Sequence, residues 1–197
     1  MNYYEWLDPK VITSRSYQCG YCGNPLASER GWIGRVGSNA AAFVYVCHHC
    51  SCPSFFDEYN RQYPGVVFGN PVADIPDQSL LDLYEEARRA TAVNSYTAAV
   101  LCCRKLLMHI AVAKGAKLGE SFVSYVEYLA DNHYVPPDAR DWVDHIRTRG
   151  NEANHEIAIM SKDDAEVLIS FLEMLLKVIF EFPAAIKKRT AGQSQAS

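Results

Sequence analysis

Four cysteines in two matching turns offer the clearest chemistry in this sequence. Cys19-Gly-Tyr-Cys22 and Cys47-His-His-Cys50 are CxxC turns with 24 residues between them. Zinc takes four soft ligands at tetrahedral corners, about 2.3 Å from each sulfur. A CxxC turn presents two thiolates to one ion from a short stretch of backbone, and Gly23 helps the first turn close. His48, His49 and Cys52 each stand near enough to replace Cys50, but the symmetry of the turns favours Cys19, Cys22, Cys47 and Cys50. A redox pair or incidental cysteines is the competing explanation. Four protein ligands leave no open position for water or substrate, so the zinc is expected to be structural. Its binding, on the order of 10 kcal/mol, would fold a module too small to fold on an apolar core alone. Four thiolates around a divalent cation carry a net charge of about −2, which opposes contact with a phosphate backbone.

A second constellation lies in Ile146-Arg147-Thr148-Arg149-Gly150-Asn151-Glu152-Ala153-Asn154-His155-Glu156. If a helix continues through Gly150, then Arg147, Asn151 and His155 fall at i, i+4 and i+8 on one face. A histidine that titrates near neutrality can pass protons. An arginine can grip a phosphate in bidentate fashion, and an asparagine can orient either. That set suffices for RNA cleavage in which the 2′-hydroxyl attacks its own phosphate, without a catalytic metal. The structural alternative is a hydrogen-bonded network between helices or a dimer contact. One histidine with one arginine is a common pairing, so chemistry alone favours the structural role.

The elements that must position these groups are legible as two regions. Trp32–Val36 and Ala41–Val46 read as strands joined by Gly37-Ser38-Asn39, so turn, hairpin and turn succeed one another in the order of a zinc ribbon. Trp32, Phe43 and Tyr45 are aromatic enough to stack on bases, but the ribbon's small core is their expected place. Beyond about residue 78 the spacing predicts five helices. They cover 78–93, a stretch after Asn94-Ser95 that stops at Gly115, one after Ser121, one from Pro137-Asp138, and one from Ser161 to Phe182-Pro183. Asn94-Ser95 reads as an N-cap, and the short connections predict an antiparallel bundle. Cys102 and Cys103 are expected to pack in the core, and His109 and His133 to be incidental.

Prolines and glycine between Tyr63 and Asp77 mark a linker. The expected organisation is a zinc-ribbon domain with linker at 1–72, a helical domain at 73–186 and a disordered tail at 187–197. The class is α+β. The first 72 residues balance five basic against five acidic side chains, so the helical part supplies the whole formal charge of −4. Nonspecific duplex binding calls for a basic surplus, and none is present. No apolar run of about 18 residues suggests a membrane span, and the N-terminus lacks a signal-peptide pattern. The expected location is therefore cytoplasmic, where paired cysteines are read as metal ligands before disulfides.

Ala98-Ala-Val-Leu-Cys-Cys-Arg-Lys-Leu-Leu107, with Ile146-Arg147-Thr-Arg-Gly150-Asn151-Glu-Ala-Asn-His155 further on, resembles the domain-of-unknown-function 4145 family. The resemblance covers roughly residues 78 to 183. Family members occur alone, after N-terminal zinc ribbons, and fused to restriction-enzyme motor subunits. The family is similar to the HEPN superfamily of helical bundles, many of them ribonucleases of toxin–antitoxin and antiviral systems. The resemblance implies a HEPN-like bundle, and a homodimer whose protomers each bring an arginine and a histidine to a shared cleft. In the commonest HEPN motif arginine directly precedes the polar residue. Here Gly150 holds that place before Asn151 and His155. Arg149 is one substitute, whereas Arg147 matches the family's own pattern. On a helix the two arginines point about 160° apart, so only one can face the cleft with His155. Geometry favours Arg147.

Two functions are compatible with these residues. One is a dimeric regulatory or adaptor protein that binds a protein or nucleic-acid partner, RNA included, in bacterial or phage defence. The other is a metal-independent endoribonuclease in which His155 is the general acid or base, Arg147 the phosphate clamp and Asn151 the orienter. A DNA-binding transcription ribbon ranks below both because the chain is acidic.

Overall fold

The computed structural model describes residues 6–136 and 159–194. The helix expected from Pro137, together with Arg147, Arg149, Gly150, Asn151 and His155, lies outside the described residues. Two compact units divide the chain. The first is Met1–Val67 with Thr91–Asn94, and the second is Phe68–Ala90 with Ser95–Ser197.

The first unit is one five-stranded antiparallel sheet in the order β1-β2-β3-β4-β5. Its strands are β1 (Lys10–Gln18), β2 (Pro25–Val36), β3 (Asn39–Val46), β4 (Pro53–Phe56) and β5 (Gln62–Tyr63). The expected hairpin is present as β2 and β3. Val36 pairs with Asn39, which leaves the two-residue loop Gly37-Ser38. Gly37 has φ +60 at the first central position, where a type II′ turn takes glycine. Ile12, Tyr45 and Phe56 form a small core, with Tyr17, Ile33 and Phe43 packed on it. The Phe56 ring meets Tyr17 and Tyr45 edge-on at 5.3 and 5.8 Å, and the Arg15 guanidinium lies 4.1 Å over Phe56. Tyr45 and Phe43 thus serve the core, while Trp32 meets Trp6 edge-on at 5.7 Å.

The second unit contains α1 (Gln78–Ala92), α2 (Tyr96–Ala113), α3 (Phe122–Asp131), α4 (Lys162–Leu176) and α5 (Phe182–Ser194). α2 packs on α3 and α4, and Leu107, Leu129, Leu168, Phe171 and Leu172 are fully enclosed between them. α2 is 18 residues long with mean hydropathy 1.4, long and apolar enough to cross a membrane, and 44% of it is buried inside the protein. α4 begins with a capping box: Ser161 Oγ accepts from the Asp164 amide, and the Asp164 carboxylate accepts from the Ser161 amide. α2 ends as expected at Gly115, φ +106, whose amide donates to Val112 while the Ala116 amide donates to Ala111.

The N-cap of α2 is Ser95, without a side-chain cap hydrogen bond, rather than Asn94. Asn94 sits at φ +59 after α1, donating to Thr91, while the Ser95 amide donates to Ala90. The same pattern closes α3 around His133 at φ +61. Both residues hold left-handed positions that favour glycine.

The C-terminus also departs from expectation. Helix does not stop at Phe182-Pro183, and the tail expected to be disordered is helical to Ser194. A π-helical turn at Lys177–Glu181 joins α4 to α5. Proline clashes with the carbonyl four residues back in a regular helix. The wider i+5 turn just before Pro183 relieves that clash.

The proline-rich stretch after the sheet is fastened to the helical unit. The Arg88 guanidinium donates to the Phe68 and Gly69 carbonyls and to both Glu85 oxygens. Glu173 accepts from the Asn70 amide at 2.8 Å and from Lys177 at 2.5 Å. Burial pushes the Glu173 carboxyl up, but Lys177 and Asn70 outweigh it and leave it below the ordinary carboxylate value. A depressed folded value stabilises the fold above the ordinary carboxylate range, and that contribution is lost as pH falls through the folded value. Glu173→Gln is accordingly expected to melt lower than the native protein at neutral pH and to lose less on acidification. Thermal melts from pH 7 to pH 3 check this.

Candidate metal centre

β1 leads into the first CxxC turn, which hands the chain to β2; β3 leads into the second, which hands it to β4. The two turns share one backbone pattern. The Gly23 amide donates to Cys19 at 2.9 Å, and the Cys19 amide to Asn24 at 3.0 Å. In the second turn the Ser51 amide donates to Cys47 at 2.8 Å, and the Cys47 amide to Cys52 at 3.0 Å. Residues 19, 23 and 24 therefore correspond to 47, 51 and 52. Each turn bends its first carbonyl back and brings its two thiols to the same side.

The four sulfurs converge. Cys19 and Cys50 Sγ are 3.7 Å apart, Cys22 and Cys47 Sγ are 3.8 Å apart, and all four lie within 4.8 Å of one another. Disulfide sulfurs sit about 2.05 Å apart, so these are free thiols. Corners of a tetrahedron with arms of about 2.3 Å are separated by about 3.8 Å. The donor set and its spacing thus fit one tetrahedral ion. Cys19, Cys47 and Cys50 are buried, with Leu26, Tyr17 and Cys52 packed against the cluster.

The sequence leaves three replacements for Cys50 open, and the geometry does not use them. His48 and His49 are exposed and pack ring on ring with centroids 4.3 Å apart. Cys52 occupies the place of Asn24, and its Sγ donates to the Cys50 carbonyl at 3.6 Å and is not one of the four converging sulfurs.

Electrostatics separate the thiols. Burial pushes Cys19 up. It does the same to Cys50, where the neighbouring thiols add to the effect. Burial also opposes ionisation of Cys22, but the Asn24 amides outweigh it and bring Cys22 to about 7. The Asn24 side-chain amide stands 3.5 Å from Cys22 Sγ. A divalent cation among the four reverses the balance, because it stabilises every thiolate at once.

Sequence reasoning missed Ser51. It takes φ +58, matching Gly23 at φ +72 in the first turn. The signal was available as the same offset, four residues after the first cysteine of each turn. A serine there costs about 1 kcal/mol relative to glycine. Ser51→Gly is expected to stabilise the ribbon by about 0.5–1 kcal/mol. Denaturant titration with tryptophan fluorescence as the readout measures it, and Ser51→Val should shift the midpoint the other way.

Beside the second turn lies a groove of about 490 Å³ walled by Trp6, Ser28, Glu29, Arg30 and His48 among others. The Trp6 indole nitrogen donates to the Ser51 carbonyl at 2.6 Å, which ties this wall to the turn. The groove carries both signs of charge.

Comparison with known proteins matches residues 85–191 to a domain of unknown function, DUF4145. No curated protein and no solved structure matches. The matched segment spans more than half of the 197 residues and includes Arg147, Asn151 and His155. A sheet whose cysteine cluster fits a zinc ribbon thus precedes a helical segment that places this chain in the DUF4145 family.

Proposed function

We propose that this protein is a zinc-ribbon adaptor or regulatory protein, dimeric through its helical unit, that recruits a partner in bacterial or phage defence. The observation that carries this reading is the closed thiol cluster. Four cysteine sulfurs within 4.8 Å supply all the corners a zinc ion needs. A Zn²⁺ held by Cys19, Cys22, Cys47 and Cys50 has no place for a substrate, so it supplies rigidity. What it rigidifies is a surface for recognition. A protein partner suits that surface better than nucleic acid, because both Glu29 and Arg30 line the adjoining groove and four thiolates around a divalent cation are anionic. Defence and dimerisation rest on the similarity to HEPN bundles.

The second reading, a metal-independent endoribonuclease, is favoured by one observation: the family match covers Arg147, Asn151 and His155 together. In it His155 moves the proton of the attacking 2′-hydroxyl, Arg147 holds the phosphate and Asn151 orients the pair.

One experiment separates the two. Wild type and His155→Ala are expressed in the same host, and total RNA and growth are monitored. Intact RNA with both proteins, each shown to be folded, supports the adaptor. Cleavage with wild type alone overturns it in favour of the nuclease. Light scattering behind a sizing column tests the dimer, and a strict monomer contradicts it.

A further inference from the structure

Two arginines are buried in the helical unit, and they differ in one respect. Arg88 is 8% exposed and is saturated by Glu85 and the Phe68 and Gly69 carbonyls. Arg104, on α2, is 4% exposed, and its Nη1 has no hydrogen-bond partner among the described residues. No carboxylate among them pairs with it. The specific neighbour they supply is the ring of Phe122, 4.3 Å below the guanidinium carbon. Burial alone acts on its ionisation, lowering it from the ordinary arginine value.

A buried, unpaired guanidinium is costly. Taking such a charge out of water is strongly unfavourable, and one ring face offsets only part of that loss. Arginine cannot escape by losing its proton. The location adds to the imbalance. Phe122 is the first residue of α3, a ten-residue helix, so the guanidinium sits at the end where that helix carries partial positive charge. Among the described residues no carboxylate pairs with the guanidinium, and the first turn of α3 carries no acidic side chain.

We propose that Arg104 is an anion-binding residue that takes a phosphoryl group beside the start of α3. The Phe122 ring lies 4.3 Å from the guanidinium carbon, and a guanidinium carries a fixed fork of donors suited to two oxygens of one phosphate, of which Nη1 has no partner among the described residues. A dianionic phosphate gains more here than a single carboxylate, because both the guanidinium and the helix end attract it. The site is independent of the thiol cluster and does not rely on His155.

The test uses the full chain with its metal. Thermal melting is recorded with no added oxyanion, then with inorganic phosphate, with acetate, and with a short oligoribonucleotide, for wild type, Arg104→Lys and Arg104→Met. The expected result has three parts. Phosphate raises the wild-type Tm and acetate raises it less. Arg104→Met abolishes the phosphate effect, and Arg104→Lys retains a fraction of it. Arg104→Met matches or exceeds wild type in anion-free buffer, since an unpaired buried charge has been replaced by an apolar side chain. If the oligoribonucleotide stabilises only proteins with arginine at 104, at concentrations where free phosphate does not, the phosphoryl group belongs to a nucleic acid. If free phosphate suffices, it is a small ligand. Equal shifts in wild type and Arg104→Met overturn the proposal. A large loss of Tm in Arg104→Met without anion also overturns it, because that loss would reveal an intramolecular partner.

Discussion

Replacing Cys47 by serine is expected to empty the metal site and unfold the sheet while leaving the helical signal in place. Native protein is expected to carry one zinc per chain and Cys47→Ser none. The reason is the convergence of four sulfurs from two separate turns. Cys47 stands 3.8 Å from Cys22 across the cluster, so its loss opens one corner and strands three thiols. The sheet's apolar core is small, with Ile12, Tyr45 and Phe56 as its buried members. Structural zinc contributes on the order of 10 kcal/mol to such modules, far more than a core of this size can replace. A strong chelator is expected to do the same to the native chain. Acidification works in the same direction, because protons compete with the cation for thiolates and metal affinity falls with pH. Elemental analysis, with circular dichroism and tryptophan fluorescence, reads all three. Zinc-free protein with an intact sheet would show that the cluster is dispensable for the fold.

Gly31→Ala should also weaken the ribbon strongly, although it removes no ligand. Gly31 lies in β2, flanked by Tyr45 on β3 and Lys10 on β1. A Cβ built on Gly31 would fall 1.8 Å from the Val44 carbonyl oxygen and 2.9 Å from its carbon. Both are backbone atoms in a paired strand, so neither can swing aside. The β2–β3 ladder must open at that point, and β3 runs directly into Cys47. The expected loss is about 3 kcal/mol of ribbon stability, at the upper end for overpacking. It should appear as faster release of zinc to a chromophoric chelator. Gly34→Ala is a suitable control: its Cβ would approach the Ala42 side chain most closely, at 3.3 Å. Equal release rates from the two variants would contradict the steric account.

The cysteine cluster was legible because its information is local. Ligand type and the CxxC interval appear directly in the chain, and β2–β3 show as two short apolar runs around Gly37. β1, β4 and β5 were not. Thr13, Ser14 and Ser16 break any apolar alternation in β1, and β4 is only Pro53–Phe56. Their places are fixed by long-range pairing, such as Phe43 with Phe56, that no short window contains. Helices α1 to α3 were read from 3.6-residue spacing and sharp stops, notably Gly115. Of the Asn94-Ser95 pair read as an N-cap, Ser95 holds that position without a side-chain hydrogen bond and Asn94 ends α1, a division only the backbone angles decide. Arg104 shows another limit. In sequence it is one more cation beside Lys105; burial against Phe122 sets it apart.

The π turn at Lys177–Glu181 redirects the helix beyond it. An i+5 turn inserts one extra residue into the ladder and so resets the azimuth of every later side chain. In α4, Leu168, Phe171, Leu172 and Leu175 all face inward. Past the turn, Phe182 and Ile186 emerge at 52% and 63% exposure, four residues apart. A single surplus residue thus swings an oily seam from the interior to the outside without breaking the rod.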